Sequence, residues 1–273
     1  MSKFLMVGSD PECFLRDLHG NLVSSIDVRL PGTKNKPFST PFGSIQKDNI
    51  LAEFNSIPAA SLADFINNHR LIIKDLTDII TPLNLQLDFV ASALCSEELL
   101  SDPDARVAGC EADYNVWTGT ANTPADYRTN NIRAAGGHVH ISFDQAVNNN
   151  EARLQMVKAL DLALCLPSVL LDPDTDRRKF YGKAGSYRPK DAQKIKFADP
   201  YDGLEYRSLS NFWLKSEELM AFVWNGVERC YNNLSELSAL ADSVADRLVP
   251  TINSSDRKGA EFLLKEVGLY EYI

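Results

Sequence analysis

Two of the chain's four histidines lie two residues apart, in the segment Arg133-Ala-Ala-Gly-Gly-His138-Val-His140-Ile-Ser-Phe143. Apolar residues alternate with them and predict a β-strand, on which alternate side chains face the same side, so both imidazoles project together. The preceding glycine pair removes side-chain bulk where another backbone or a ligand must approach closely. The clustered imidazoles indicate a site, although a hydrogen-bonded histidine pair inside the core has the same pattern.

Carboxylates occur in three further segments with strand-like, apolar surroundings. Asp10 and Glu12 lie two residues apart, and an extended chain presents both to one hard cation. Glu53 lies within an apolar strand, where an ionised carboxylate is costly unless it is paired or metal-bound. Glu205 and Arg207 share one strand face. The alternatives are a surface turn at Asp10, a solvent-facing Glu53 and a cross-strand salt bridge at Glu205.

A basic and glycine-rich connection runs from Asp176 to Arg188, and its cations include Arg178 and Lys183. Guanidinium groups bind phosphate oxygens through paired hydrogen bonds, and glycines expose backbone N–H groups to the same oxygens. The connection lacks the P-loop pattern, and a solvated basic surface has the same composition.

Together, the carboxylates, the imidazole and the guanidinium groups predict a site for divalent cations. Oxygen-rich ligands suit Mg²⁺ or Mn²⁺ better than Zn²⁺, and one histidine is tolerated among them. Phosphoryl transfer from ATP requires divalent cations beside arginines, because metals bridge the phosphate oxygens and arginines neutralise the developing charge. The alternatives are a Mn²⁺- or Zn²⁺-dependent hydrolase, which gives Arg188 and Arg207 no role, and a non-catalytic binding or virion-associated protein, which has no reason to keep desolvated acids.

The composition narrows the class of protein. A net charge of -9 argues against broad attraction to nucleic acid or to an anionic membrane surface. Five cysteines without a C-x-x-C spacing argue against a disulfide framework or a zinc ribbon, predict small buried hydrophobes, and favour a cytoplasmic setting. The first apolar run is too short for a signal peptide, and no stretch is predicted to reach membrane-spanning length. Without a linker or an internal repeat, residues 1–273 are predicted to form a single domain.

Apolar periodicity and turn signals predict the elements that must position these residues. Extended segments are predicted at residues 3–8, 44–55, 85–92, 138–143 and 203–210. Helices are predicted at 61–80, where Ser61 and Asp64 form a capping pair, at 151–171, and as two or three helices between 216 and 266.

The order of these motifs resembles that of glutamine synthetase-like carboxylate–amine ligases, most closely the phage-encoded type-2 group. The segment that begins with Asp10 is similar to the family's first metal-binding strand, which usually carries two glutamates. Glu53 matches the acidic residue of the next metal-binding strand. Gly-His138-Val-His140 resembles the Gly-Met-His-Val-His signature, in which the first histidine is a ligand and the second lies near substrate or nucleotide. Glu205-x-Arg207 resembles the late Glu-x-Arg pair, and the likeness covers roughly residues 7 to 211.

The resemblance implies an α+β fold, with a curved and mostly antiparallel sheet that is lined with metal ligands and packed by helices, and a helical part at about 216–273. It implies an ATP-dependent ligase that joins small-molecule or peptide carboxylates to amines through an acyl phosphate. The implied ligands of two or three Mg²⁺ or Mn²⁺ ions are Asp10, Glu12, Glu53, His138 and Glu205. The implied catalytic residues are Glu53, Arg188, Glu205 and Arg207. The implied nucleotide- or substrate-binding residues are Arg178, Lys183, Arg188, Arg207 and His140.

The sequence departs from the family pattern at three points. Asp10 replaces the usual glutamate and shortens the reach of the carboxylate by one methylene. The carboxylate that normally precedes Glu53 has a candidate in Asp48, but a spacing of five residues places it on the opposite face of a continuous strand. Few residues precede the first motif, so the small N-terminal β-domain of glutamine synthetase is expected to be absent and no ring assembly is implied.

Overall fold

Strands dominate the first half of the chain and helices the second. The computed structural model describes residues 3–107, 113–123, 126–190 and 203–272. The strands are β1 (Leu5–Ser9), β2 (Glu12–Asp17), β3 (Leu22–Val23), β4 (Phe38–Thr40), β5 (Gly43–Asp48), β6 (Leu51–Ser56), β7 (Leu85–Asp88), β8 (Ser92–Leu94), β9 (Tyr114–Asn115), β10 (Thr120–Ala121), β11 (Ile132–Ala134), β12 (Val139–Phe143), β13 (Ser186–Lys190) and β14 (Gly203–Tyr206). The α-helices are α1 (Leu62–Ile80), α2 (Asn150–Leu160), α3 (Leu166–Leu171), α4 (Arg177–Phe180), α5 (Glu217–Asn232), α6 (Leu234–Ser243), α7 (Ala245–Asn253) and α8 (Arg257–Glu266).

Two antiparallel sheets meet where the chain leaves β1 and enters β2. The first has the strand order β1-β12-β14-β13-β9-β10, and the second has the order β3-β2-β6-β5-β4, with β7 also paired to β2. The backbone N–H groups of Asp10 and Glu12 donate to the carbonyls of His138 (3.4 Å) and Gly136 (2.9 Å), which continues the β1/β12 ladder as far as β2. The predicted α+β class with a curved, mostly antiparallel sheet is confirmed.

A tight hairpin joins β5 to β6. Asp48 pairs with Leu51, so only Asn49 and Ile50 form the turn. Asn49 takes a positive φ of 56°, which asparagine tolerates better than most residues. The expectation of one extended segment over residues 44–55 is therefore wrong, because the chain reverses at its middle.

The helices pack over the sheets around one large apolar core. Helix α1 begins where predicted: the Ser61 hydroxyl accepts from the backbone N–H of Asp64 (3.1 Å), and the helix ends at Ile80 before a 3₁₀ turn that contains Pro82. The C-terminal part holds four helices rather than two or three. Single residues, Asn233 and Val244, separate the first three of them, and breaks this short leave the apolar periodicity almost continuous.

One helical segment of the described chain, Asn150–Leu171, is long and apolar enough by length and composition to cross a membrane. The expectation that no stretch reaches this length is therefore wrong. The segment has a mean hydropathy of 1.6, but 72% of its apolar window is buried inside the fold. Core packing thus accounts for its apolar character. A π-helical turn, Asp161–Cys165, interrupts it between α2 and α3.

The cysteines of the described residues, Cys13, Cys95, Cys165 and Cys230, are buried and form no disulfide. The prediction of small buried hydrophobes holds for these four residues. Cys110 lies outside the described residues.

A third histidine, His69 of α1, supports the end of β1 from inside the core. Its Nδ1 lies 2.7 Å from the carbonyl of Phe65, and its Nε2 lies 2.6 Å from the Ser9 hydroxyl, immediately before Asp10. The ring also packs against Trp213, with centroids 5.1 Å apart. Burial lowers the pKa of His69 to about 4, so the folded protein holds this imidazole neutral at neutral pH.

Acidification should therefore destabilise the fold through His69. In the unfolded chain, His69 binds a proton near pH 6.5, whereas in the folded chain it binds one only near pH 4. The neutral imidazole therefore contributes its full stabilisation above pH 6.5, and this contribution is lost as the pH falls towards 4. The loss amounts to about 3 kcal/mol. Denaturant unfolding of His69→Gln across this window should show a shallower decline in the free energy of unfolding than the unsubstituted chain.

The exposed His19 provides the matched control, and His19→Gln should keep the slope of the unsubstituted chain. Identical slopes in all three proteins would show that another group binds the proton.

Candidate functional site

The junction of the two sheets gathers the predicted acidic residues and histidines into two adjacent groups. In the first, called the histidine trio, one ligand atom each from Asp10, His140 and Glu205 lies within 4.8 Å of the others. Strand pairing explains this proximity, because His140 of β12 is directly opposite Glu205 of β14. Asp10 follows β1, the other neighbour of β12.

Both imidazoles of the His-x-His strand face the same carboxylate, as the predicted strand geometry requires. The distance to Asp10 Oδ1 is 3.3 Å from His138 Nδ1 and 3.0 Å from His140 Nε2. His138 Nδ1 also lies 3.6 Å from Glu205 Oε1. Within the described part of the chain, these atoms of Asp10, His138 and His140 are buried and form no hydrogen bond of normal geometry. Buried oxygen and nitrogen atoms that converge in this way are suitable ligands for a bound cation.

The second group, called the carboxylate trio, consists of Glu12, Asp48 and Glu53, whose ligand atoms also lie within 4.8 Å of one another. Glu12 of β2 is directly opposite Glu53 of β6. Asp48 pairs with Leu51 across the hairpin, and Leu51 shares a face with Glu53. The expectation that Asp48 lies on the opposite face is therefore wrong, because that expectation assumed a continuous strand and Asp48 belongs to the neighbouring one.

The two trios differ in how their charge is balanced. Burial raises the pKa of Asp10, but the adjacent His140 and His138 outweigh burial and hold the pKa well below its usual value. Burial likewise raises the pKa of Glu205, but Arg207, His138 and His140 together outweigh burial and hold this pKa below its usual value. In the carboxylate trio, burial raises the pKa of Glu53 well above its usual value, and Asp10, Asp48 and Glu12 raise it further. Full ionisation of the carboxylate trio therefore calls for an added positive charge.

Two arginines flank Glu205. Arg207 is almost fully buried, and its Nη1 donates to Glu205 Oε1 while its Nε donates to Asp113 Oδ2 at 3.3 Å. Arg188 of β13 is directly opposite Glu205, with its Nη1 3.8 Å from Glu205 Oε2. The two predicted phosphate-binding guanidinium groups thus lie beside the histidine trio.

The two other predicted cations have different surroundings. Arg178 is buried among the helices, where its guanidinium donates to the hydroxyls of Ser168 (2.7 Å) and Ser255 (3.4 Å). Its expected part in phosphate binding is corrected, because these contacts direct the side chain into the core. Lys183 has an exposed side chain in the loop before β13.

Arg177 has a structural role that sequence reasoning missed. Its buried guanidinium donates to the carbonyls of Ala135 (3.0 Å), Ser208 (2.9 Å) and Leu209 (2.8 Å). It therefore ties the residues before His138 to the residues after Arg207. Backbone carbonyls carry no residue-specific signal, so nothing in the sequence distinguishes Arg177 from its basic neighbours.

Tyr181 and Asp113 are the other residues that sequence reasoning missed. The Tyr181 hydroxyl lies 2.8 Å from His138 Nε2 and accepts from Arg207 Nη2. Asp113 accepts from Arg207 and also from the side chain of Asn122 (2.9 Å). Asp113 lies in a segment without strand periodicity, so no spacing rule connects it with the site.

The glycine pair before His138 allows the close approach that the sequence predicts. A Cβ at Gly136 would lie 2.2 Å from the His138 Nε2 atom, and a Cβ at Gly137 would lie 2.1 Å from the carbonyl oxygen of Ser210. Side chains at these two positions would displace the imidazole or the neighbouring backbone.

Comparison with known families supports the resemblance seen in the motifs. Residues 126–240 match the model of a family described as phage phiEco32-like COOH–NH2 ligase, type 2. The match confirms the predicted resemblance over this region, which contains His138, His140 and Glu205 but not Asp10 or Glu53. No curated protein sequence matches the chain.

Solved structures align with almost the whole chain at low similarity. A structure titled as apo GmaS without ligand is 14% identical, covers 99% of this chain and 70% of its own, and has a TM-score of 0.41. A GmaS/ADP complex is 12% identical, with 99% and 71% coverage and a TM-score of 0.38. A novel glutamine synthase homologue is 12% identical, with 98% and 71% coverage and a TM-score of 0.41.

The charge of the carboxylate trio predicts that Glu53→Gln reverses its effect on stability when metal is added. Without metal at neutral pH, the variant should melt at a higher temperature, because it removes a carboxylate whose ionisation is opposed by burial and by three neighbouring acids. With Mn²⁺ at about 100 times the dissociation constant, the unsubstituted chain should gain about 2.7 kcal/mol. The variant should gain less, so the order of the melting temperatures should reverse between EDTA and Mn²⁺.

Glu98, an exposed acid, supplies the matched control, and Glu98→Gln should follow the unsubstituted chain in both conditions. A Mn²⁺-induced rise in Glu53→Gln equal to that of the unsubstituted chain would show that the carboxylate trio does not bind the metal.

Proposed function

We propose that this chain is an ATP-dependent carboxylate–amine ligase that forms an amide or peptide-type bond through an acyl phosphate. The observation that supports it most strongly is the pair of adjacent acidic trios with Arg188 and Arg207 beside Glu205. The His138-to-Arg207 half of this arrangement lies in the region that matches the ligase family model. The proposed substrates are small-molecule or peptide carboxylates and amines, and the proposed setting is the cytoplasm, that of the host if the chain is phage-encoded.

The residues present fit two divalent cations. The histidine trio, with His138 beside it, offers two carboxylates and two imidazoles, and the carboxylate trio offers three carboxylates. Carboxylate-rich donor sets favour Mg²⁺ or Mn²⁺. The buried atoms of Asp10, His138 and His140 that lack hydrogen bonds among the described residues supply a second reason. When bound, such cations would neutralise the negative charge of the phosphates during phosphoryl transfer.

The arginines would orient the reacting groups. Arg188, whose side chain is 21% exposed, would donate to the γ-phosphate or to the substrate carboxylate. The Arg207 side chain is only 2% exposed. It would therefore act from the buried side of the site, by keeping Glu205 ionised and by donating towards the phosphates. A fixed array of this kind lowers the barrier because it needs no reorganisation as charge develops.

Two displacement steps complete the proposed reaction. A carboxylate oxygen of the acid substrate attacks the γ-phosphorus of ATP, the bond to the β-phosphate oxygen breaks, and ADP leaves. The amine nitrogen then attacks the acyl carbon, the carbon–oxygen bond to phosphate breaks, and inorganic phosphate leaves as the amine loses a proton.

Glu205→Gln should abolish most of this activity. The variant keeps the size of the side chain but removes the negative charge that lies between His138, Arg188 and Arg207. ADP release should be measured with ATP, Mg²⁺ and a panel of carboxylates and amines. The substrate-dependent rate should fall by about 10²- to 10³-fold, the size of effect expected for loss of one fixed electrostatic contact.

Asp78→Asn, at an exposed acid of α1 that pairs with Lys74, should leave the rate unchanged. The assignment is wrong if Glu205→Gln keeps the full rate with a proven substrate. Cleavage of the corresponding amides without nucleotide would instead identify a metal-dependent hydrolase.

A further inference from the structure

The Tyr181 hydroxyl lies between a histidine and an arginine of the site. It is 2.8 Å from His138 Nε2, and it accepts a hydrogen bond from Arg207 Nη2. Arg207 Nη1 donates to Glu205 Oε1, which is 3.6 Å from His138 Nδ1. The four side chains therefore form a closed ring of polar contacts in which the tyrosine hydroxyl joins the imidazole to the guanidinium.

The Tyr181 ring is held in place independently of its hydroxyl. The guanidinium carbons of Arg177 and Arg207 lie 5.1 Å and 5.4 Å from the ring centroid, within cation–π range. The His138 ring meets it edge-on at 5.9 Å. Gly182 follows with a φ of +72°, and a Cβ there would lie 2.0 Å from Arg177 Nη1. A phenylalanine at position 181 should therefore occupy the same place.

The position of the proton on His138 decides whether this imidazole can bind a cation. A neutral imidazole carries its proton on one nitrogen and a lone pair on the other. Nδ1 faces the carboxylates of Asp10 and Glu205 at 3.3 Å and 3.6 Å, and these acceptors favour a proton on Nδ1. A proton on Nε2 needs an acceptor of its own, and the Tyr181 oxygen lies at hydrogen-bond distance from that atom.

We propose that Tyr181 is a positioning residue that couples His138 to Arg207. Its hydroxyl oxygen accepts a hydrogen bond from the Nε2–H group of His138, so that the Nδ1 lone pair faces the histidine trio. The inference rests on the proposed function, because it gives His138 a cation to bind. Partners that fix the tautomer of a ligating histidine change metal affinity by about 10- to 100-fold. Tyr181 thereby acts on metal binding through His138, without being a ligand.

Tyr181→Phe tests this role, because it removes only the hydroxyl. Mn²⁺ binding should be titrated by electron paramagnetic resonance of the free ion, with the whole chain and no nucleotide. The Mn²⁺ affinity of one class of site should fall by about 10- to 100-fold. The carboxylate trio, which has no ligand among the contacts of Tyr181 described above, should keep its affinity. Asp48→Asn removes a carboxylate from that trio alone and so identifies which binding step belongs to it.

Tyr231→Phe is the matched control, since it removes the hydroxyl of a tyrosine on helix α5 that donates to Asp144 at 2.8 Å. It should leave both Mn²⁺ affinities unchanged. Nitrogen-15 spectra of histidine-labelled protein with Mg²⁺ give a second readout. In the unsubstituted chain, His138 should carry its proton on Nε2 only. In Tyr181→Phe, the proton should be distributed between Nε2 and Nδ1.

Unchanged Mn²⁺ affinity and an unchanged tautomer in Tyr181→Phe would overturn the role of Tyr181 and leave the proposed ligase intact. Equal weakening of both classes of site would also overturn it, because this result indicates general loosening of the fold. Failure of the unsubstituted chain to bind Mn²⁺ would overturn the inference and the proposed function together.

Discussion

The burial of several carboxylates at one junction is the constraint on which the rest of the structure depends. Glu12, Glu53 and Glu205 are each less than a tenth exposed, and buried ionised carboxylates are stable only when they are paired or metal-bound. Arg207 meets this requirement for Glu205, and the nearby imidazoles lower the pKa of Asp10. In the carboxylate trio, Asp48 and Glu12 raise the free-energy cost of ionising Glu53. The fold therefore accepts a local loss of stability at the point where its proposed chemistry needs a cation.

A three-residue segment, Asp10-Pro11-Glu12, connects the two trios and explains why they are adjacent. Asp10 and Glu12 donate their backbone N–H groups to the carbonyls of His138 and Gly136, just before β12, whereas the Pro11 carbonyl accepts from Phe54 of the other sheet at 3.3 Å. Proline has no N–H to contribute, and in an antiparallel ladder alternate residues direct their donors to opposite sides. The segment thus contributes one carboxylate to each trio, and its backbone hydrogen bonds connect the two sheets.

Sequence patterns predict the faces of strands well and the partners of strands poorly. The shared face of His138 and His140 follows from the alternation of one strand, and both imidazoles do meet Asp10. The place of Asp48 depends instead on a two-residue turn, which reverses the chain and changes the face that a spacing of five residues implies. Tyr181 depends on contacts 43 and 26 residues away in sequence, and no local pattern encodes contacts at that range. The fold class and the clustering of acidic and histidine side chains are therefore readable from the sequence, whereas the groups that orient these side chains are not.

The strand that carries Glu205 and Arg207 is fixed from behind as well as from the site. Tyr206 lies between them and points to the opposite face, where its hydroxyl donates to Asp161 at 2.6 Å. Trp117 donates to the other oxygen of Asp161 at 2.6 Å, and burial raises the pKa of this carboxyl to about 6. Asp161 begins the π-helical turn, a distortion that often accompanies functional sites. A one-residue slip of β14 would direct Tyr206 towards the site and Glu205 into the core, so the contact between Tyr206 and Asp161 sets the register in which the acid and the arginine face the histidines.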